Sequence, residues 1–185
     1  LSVLFIGTGL ALGRSPAMLI KNMLPAYFTA LGTMSSAATI PVALQASKNN
    51  GVSDGIANFT VPLCATIHLC GSTITLVTCA TAVMFLSEHL AIPGYGTMLP
   101  FIMMLGVIMI AAPGAPGGGV MSALGLLTSM LGFGEASIAL MIALYLAQDS
   151  FGTACNVTGD GVIALWADRF AQVGETTRSP ERDAA

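Results

Sequence analysis

The residues best suited to chemistry lie on one stripe near the C-terminal end of this 185-residue chain: Asp149, Gly152, Thr153, Asn156 and Asp160, recurring at intervals of three and four. At 100° per residue, all five share an arc of about 100° over three helical turns. The chain that carries them is 55% apolar and only 8% charged. An ordinary globular protein is roughly 25% charged. That composition excludes a soluble enzyme, a nucleic-acid binder and a disordered tail, and leaves the lipid bilayer as solvent. A carboxylate in hydrocarbon costs about 2.5–3.5 kcal/mol on insertion scales, so two on one face must look into protein or a wet cavity. Between Lys48 and Arg169 the sequence has no Lys or Arg. The balancing cation must therefore come from outside the chain, as a metal ion, a proton or a substrate amine. A purely structural polar network is the competing reading, but it leaves the two acids without a counter-charge. An ion or substrate pathway is the better one.

Three polar or glycine-rich interruptions supply the other half of such a site. They are Thr33 to Thr39 around Ser35-Ser36, then His68-Leu69-Cys70-Gly71-Ser72, then Ala112 to Gly119. Half-helix N-termini direct N–H groups at anions, and unwound carbonyls coordinate cations. Together with the acidic stripe, this suits a zwitterion bound with a cation at mid-membrane depth. Cys64, Cys70, Cys79 and Cys155 sit in apolar stretches with no Cys-x-x-Cys pair, and carry no redox signal.

The elements that must position these groups follow from the same pattern. Leu1 to Leu12 has no charged n-region and reads as the end of a transmembrane helix whose start precedes the chain. Residues 16–47 read as two half-helices meeting at the Ser-rich tip, with Pro41 contributing to the interruption. Residues 56–87 exceed the ~20 needed to span the bilayer and break at His68 to Ser72. Residues 95–133 carry no charge, and no helix survives Pro113, Pro116 and their glycines. Two full spans joined by a loop are possible there, but the second arm, Val120 to Phe133, reaches only roughly 21 Å. A re-entrant hairpin fits better. Residues 136–170 form one long helix. Residues 171–185 are a polar tail with no assigned structure. The basic residues cluster at Arg14, Lys21 and Lys48 and at Arg169, Arg178 and Arg182. Positive residues favour the cytoplasmic side, which places both clusters and the tail in the cytoplasm.

The order of a Ser-rich hairpin, a broken helix, a Gly114-Ala115-Pro116-Gly117-Gly118-Gly119 hairpin and a helix bearing Asn156-Val157-Thr158-Gly159-Asp160 resembles the dicarboxylate/amino acid:cation symporter family. Its members include bacterial aspartate and glutamate carriers and the excitatory amino-acid transporters. The resemblance covers about residues 1 to 170. It implies an all-α membrane protein with re-entrant helical hairpins and broken transmembrane helices, the core of an elevator-type transporter. The segments become the end of helix six, hairpin 1 (16–47), helix seven (56–87), hairpin 2 (95–133) and helix eight (136–170). The resemblance further implies a homotrimer built through a scaffold preceding the chain, in the cytoplasmic membrane, with sodium as coupling ion and no other cofactor.

By the same resemblance, Asp149 holds the substrate amino group, and Thr153 and Asn156 are polar partners of the amino and α-carboxylate groups. Ser35 and Ser36 form the tip whose N–H groups meet the α-carboxylate, and Ser72, in the broken helix, is a further substrate-binding residue. Gly114, Ala115, Pro116, Gly117 and Gly118 close over the substrate. Asp160, with backbone oxygens near Cys64, His68 and Asn156, resembles one sodium site. Carbonyls near Thr66 and at Met109, Ile110 and Ala112 resemble a second. Two departures matter. The family's acidic-substrate carriers have an Arg where this chain has Gly152. The family's Asn-Met-Asp-Gly-Thr is here His68 to Ser72, which removes side chains of a third cation site and leaves His68 able to carry a proton.

The resulting expectation is sodium-coupled symport of a small neutral amino acid, because a second buried carboxylate would be uncompensated. The alternative is proton- or sodium-coupled symport of aspartate, glutamate or another C4-dicarboxylate. On the neutral reading, Gly152→Arg should raise aspartate affinity. An intramembrane aspartyl protease needs two carboxylates about 3 Å apart, whereas Asp149 and Asp160 lie roughly 16 Å apart along one helix. An ion channel would need a charged ring or repeated filter. Neither an enzymatic role nor a nucleic-acid partner is expected.

Overall fold

The computed structural model describes residues 1–178, with side chains through Gln172. Its elements are α1 (Ser2–Leu12), α2 (Pro16–Thr33), α3 (Ser36–Asn49), α4 (Asp54–Ile67), α5 (Cys70–Leu86), α6 (Tyr95–Met109), α7 (Gly118–Leu131) and α8 (Glu135–Arg178). The α8 helix is the hub, packing against α1, α2, α3, α4, α5 and α7.

Local chemistry sets the breaks. Pro16 opens α2 at its first turn, where its missing N–H costs no helical bond. The helix ends at Met34, whose positive φ of 51° reverses the chain. Ser35 then caps α3, its Oγ accepting from the Ala38 N–H at 3.2 Å. The tip of hairpin 1 is thus Met34–Ser35. Pro41 lies inside α3 and does not make the break. The second interruption is also narrower than expected. Only His68 and Leu69 leave helical geometry, and Cys70, Gly71 and Ser72 already belong to α5. In hairpin 2, residues 110–117 separate α6 from α7. Gly117 enters α7 at φ 72°, a left-handed conformation that favours glycine. Each arm holds 14 or 15 residues, about 21–23 Å, short of the ~30 Å hydrocarbon core. The α8 helix runs past residue 170 to Arg178. The first part of the expected unstructured tail is therefore helical, and residues 179–185 lie outside the described residues.

Two apolar clusters flank α8. One joins α5, α6 and α7 to its first half through Leu76, Val83, Phe101, Leu105, Leu127 and Met141. The other joins α1 to α4 to its second half through Phe5, Met23, Val61, Val157 and Leu165. The polar stripe Asp149–Asp160 runs along the seam between them. Helices in lipid gain little from hydrophobic burial against one another and rely on close packing through small residues. Here Gly71 of α5 and Gly152 of α8 meet with no room for a Cβ on Gly71, which would strike the Gly152 carbonyl and lie 2.6 Å from Cys155 Cβ.

Val3, Leu10, Phe28, Phe59, Ile74 and Phe85 are 62–82% exposed, an outer surface suited to lipid or to protein neighbours. The pair α4–α5 and the helix α8 are each long and apolar enough to cross a membrane. The polar end of the bundle is tied by its charges. The Arg14 guanidinium donates to the Asn50 carbonyl, Lys48 pairs with Asp54 at 3.0 Å, and the Ser53 N–H donates to Asp168 at 3.0 Å. Arg14 and Arg169, one from each basic cluster, line one cleft at this end.

Candidate functional site

Two helix N-termini meet oxygens on the polar stripe of α8, and a third meets an oxygen of hairpin 2. Asp149, 3% exposed, accepts the Gly117 N–H at 2.7 Å where α7 begins. The Asn156 side-chain oxygen accepts from Gly71 N–H at 2.7 Å and Ser72 N–H at 3.2 Å. These are first-turn donors of α5, a helix with no side-chain cap of its own. At the start of α3, the Ser35 hydroxyl (2.9 Å) and the Ala37 N–H (3.3 Å) both donate to the Gly114 carbonyl. Helix N-termini carry partial positive charge, so the site combines anion-attracting backbone with two fixed acids.

The tip of hairpin 2 thereby engages both polar ends at once. The Gly114 carbonyl takes the donors of hairpin 1, and the Gly117 N–H takes Asp149. The remaining cavity is about 10 Å³, room for about one water molecule. It is lined by Met34, Ser36, Leu69, Ser72, Pro113, Gly114, Ala115, Gly119, Tyr145, Asp149 and Thr153. One carboxylate is present there and no basic side chain.

The sequence-derived residues divide accordingly. Asp149, Thr153, Ser36, Ser72, Gly114 and Ala115 line the cavity, and Ser35 and Gly117 border it through their hydrogen bonds. Asn156 caps α5 and also donates to Ser72 Oγ at 2.8 Å. Its side chain is committed to the broken helix, not turned to the cavity as expected. Neither Gly152, Pro116 nor Gly118 lines the cavity. A Cβ on Gly152 would lie 3.0 Å from Thr75 Oγ1 and 3.3 Å from the backbone of Ser72. Against the expected gain in aspartate affinity on Gly152→Arg stands a packing cost. A long side chain there must wedge between α5 and α8 before it can serve a substrate carboxylate. Gly152→Ala requires its neighbours, Thr75 Oγ1 first, to give by a few tenths of an ångström. Gly152→Arg should depress uptake of neutral and acidic amino acids alike, measured against the melting temperature of each variant. A selective gain for aspartate would overturn this packing argument.

The other acid lies further along α8. Asp160 is 1% exposed, and its Oδ1 is 2.8 Å from His68 Nδ1. Gly159 leaves space for that ring, since a Cβ there would approach His68 Cε1 to 2.8 Å. The break thus places His68 directly on Asp160, beside the C-terminal end of α4, where the last carbonyls lack intrahelical donors. The Cys64 carbonyl accepts the His68 N–H at 2.8 Å, and the Thr66 hydroxyl bonds back to Leu63. Hairpin 2 comes against the same end, with Gly114 facing the Ala65 carbonyl. Such carbonyls at a negative helix end suit a hard cation.

Met34, Leu69, Pro113 and Gly119 lie in the three interruptions read from the sequence, which assigned them no individual role, and Tyr145 was missed altogether. For Tyr145 a signal existed. It precedes Asp149 by four residues, which puts it within about 40° of it on the same face.

The sodium:dicarboxylate symporter family model matches residues 1–170. The chain is 32% identical over 151 residues to excitatory amino acid transporter 1 of Rattus norvegicus, covering 80% of this chain and 27% of that protein. It is 30% identical over 152 residues to excitatory amino acid transporter 5 of Homo sapiens, covering 82% and 27%. With an excitatory amino acid transporter of Caenorhabditis elegans it shares 28% identity over 179 residues, covering 90% and 34%. The chain therefore spans about a quarter to a third of the length of these relatives.

Proposed function

The chain belongs to the sodium:dicarboxylate symporter family, and from that premise we propose that it forms the substrate- and sodium-binding part of a secondary active symporter for a small amino acid without a side-chain carboxylate. The observation that carries this reading is the cavity lining, with Asp149 as its one carboxylate and no Lys or Arg. A zwitterion fits that balance. Its amine would replace the Gly117 N–H on Asp149, and its α-carboxylate would replace the Gly114 carbonyl on Ser35 and Ala37. Hairpin 2 must then lift to admit the substrate and settle again over it, with Thr153 and Ser72 beside the bound molecule. An acidic substrate would bring a second carboxylate with no cation to meet it, at a cost of several kcal/mol.

Sodium would bind between Asp160 and the carbonyls at the end of α4, and near residues 109–112. The basic end of the bundle would lie in the cytoplasm, in a multi-pass protein of the cytoplasmic membrane. The intact protein would assemble as a homotrimer around a separate scaffold, with this core moving as an elevator.

The family's name favours a second reading, transport of a dicarboxylate that enters in protonated form. Uptake by the intact protein in sealed vesicles separates the two. With an inward sodium gradient, labelled serine or alanine should accumulate, and aspartate should compete at least about tenfold more weakly at neutral pH. Preferred uptake of aspartate, unaffected by pH, would overturn the neutral-substrate reading.

A further inference from the structure

Tyr145 is 1% exposed and lines the same cavity as Asp149. Its ring comes from the α8 turn before Asp149, and its hydroxyl points at the second arm of hairpin 2. A Cβ on Gly119 would lie 2.5 Å from that hydroxyl oxygen and 3.3 Å from the ring carbon bearing it. Glycine at 119 is thus what allows the phenol to reach this depth. The Tyr145 phenol, the Ser72 and Thr153 side chains and the Asp149 carboxylate line one cavity of about 10 Å³, so the hydroxyl shares a very small space with that acid. Ser72 Oγ itself accepts from Asn156 Nδ2 at 2.8 Å. A row of polar side chains therefore runs from Asn156 through Ser72 to the cavity that Tyr145 and Asp149 share, from the cap of α5 to the acid that meets hairpin 2.

We propose, on the reading of Asp149 as the amine site, that Tyr145 is a positioning residue for substrate recognition: its hydroxyl fixes the Asp149 carboxylate for a substrate ammonium group, and Gly119 is glycine to admit it. A buried carboxylate with a free rotamer would have to be ordered when the amine arrives. One held by Tyr145 from one side and by Thr153 from the other is already aimed. The phenol also fills the hairpin 2 side of the cavity, which restricts the site to small side chains.

The test is a double-mutant cycle in the intact protein, reconstituted in vesicles with labelled serine under a sodium gradient. Tyr145→Phe removes the hydroxyl and keeps the ring. It should raise the KM for serine about tenfold, the worth of one charged hydrogen bond, with the maximal rate nearly unchanged. Gly119→Ala should cost more, because the methyl group collides with the hydroxyl. In the double variant Phe leaves room for the methyl, so its KM should return to near that of Tyr145→Phe alone. If Gly119→Ala fails to accumulate as folded protein, the same logic predicts recovery of folded protein in the double variant. Additive losses, or an unchanged KM in Tyr145→Phe, would overturn the role of Tyr145 while leaving the transport reading intact. Absence of sodium-driven serine uptake in the wild type would overturn both.

Discussion

Asp149→Asn is expected to abolish substrate binding while leaving sodium binding and the docking of hairpin 2 largely in place. The carboxamide keeps an oxygen where Asp149 accepts the Gly117 N–H at 2.7 Å, so the entry of α7 retains its acceptor. What disappears is the negative charge. A substrate ammonium group would then be buried beside neutral groups only, in a cavity with no other acid. Leaving one buried charge of a pair uncompensated costs about 3–5 kcal/mol, a loss of affinity on the order of a hundredfold or more. Asp149→Ala should lose binding equally and also free the Gly117 N–H, so hairpin 2 should become more accessible to protease. Equilibrium binding of labelled serine at saturating sodium measures the first effect, and sodium-induced thermal stabilisation measures the second. Wild-type serine affinity in the Asn variant would remove Asp149 from the amine site.

Asp160→Asn should leave the substrate half nearly intact and weaken the response to sodium. Asp160 is buried to 1% exposure and lies roughly 16 Å along α8 from Asp149, too far to touch the same small substrate. It is paired with His68, the residue that ends α4, and carbonyls at a helix C-terminus favour a hard cation. On the proposed sodium site, loss of its charge would remove the one anionic ligand, while Asn preserves the volume and a partner for the His68 ring. The sodium concentration for half-maximal serine uptake should rise about tenfold or more, and serine affinity should recover at high sodium. An unchanged sodium dependence would take Asp160 out of the cation site. An equal loss at all sodium concentrations would make it a structural residue.

The helical plan was legible because it is written in local chemistry: apolar runs too long or too short for one span, Ser35 at a cap, glycines at turns. The stripe from Asp149 to Asp160 was legible because spacing alone fixes which residues share a face. The extent of the second break was not, because its boundary depends on Asn156, 85 residues from Gly71. That side chain satisfies the first N–H groups of α5 and lets the helix begin at Cys70. Nor was the docking of hairpin 2 legible, since it uses the Gly117 N–H and the Gly114 carbonyl, and backbone groups have no identity in a sequence. Gly152 was read as an empty place for an arginine. In the fold it is the point where α8 lies against Ser72 and Thr75. Tyr145 was passed over because an aromatic in an apolar run looks like core, although its hydroxyl reaches into the polar seam.

A cavity with one acid and no base should take a neutral zwitterion together with sodium. Equilibrium binding of serine and aspartate to the purified intact protein, at neutral pH with sodium or with an inert cation, tests it most directly. Serine should bind in sodium and lose at least about tenfold in affinity without it, while aspartate should bind at least about tenfold more weakly than serine in sodium. Aspartate binding more tightly than serine under the same conditions would contradict it.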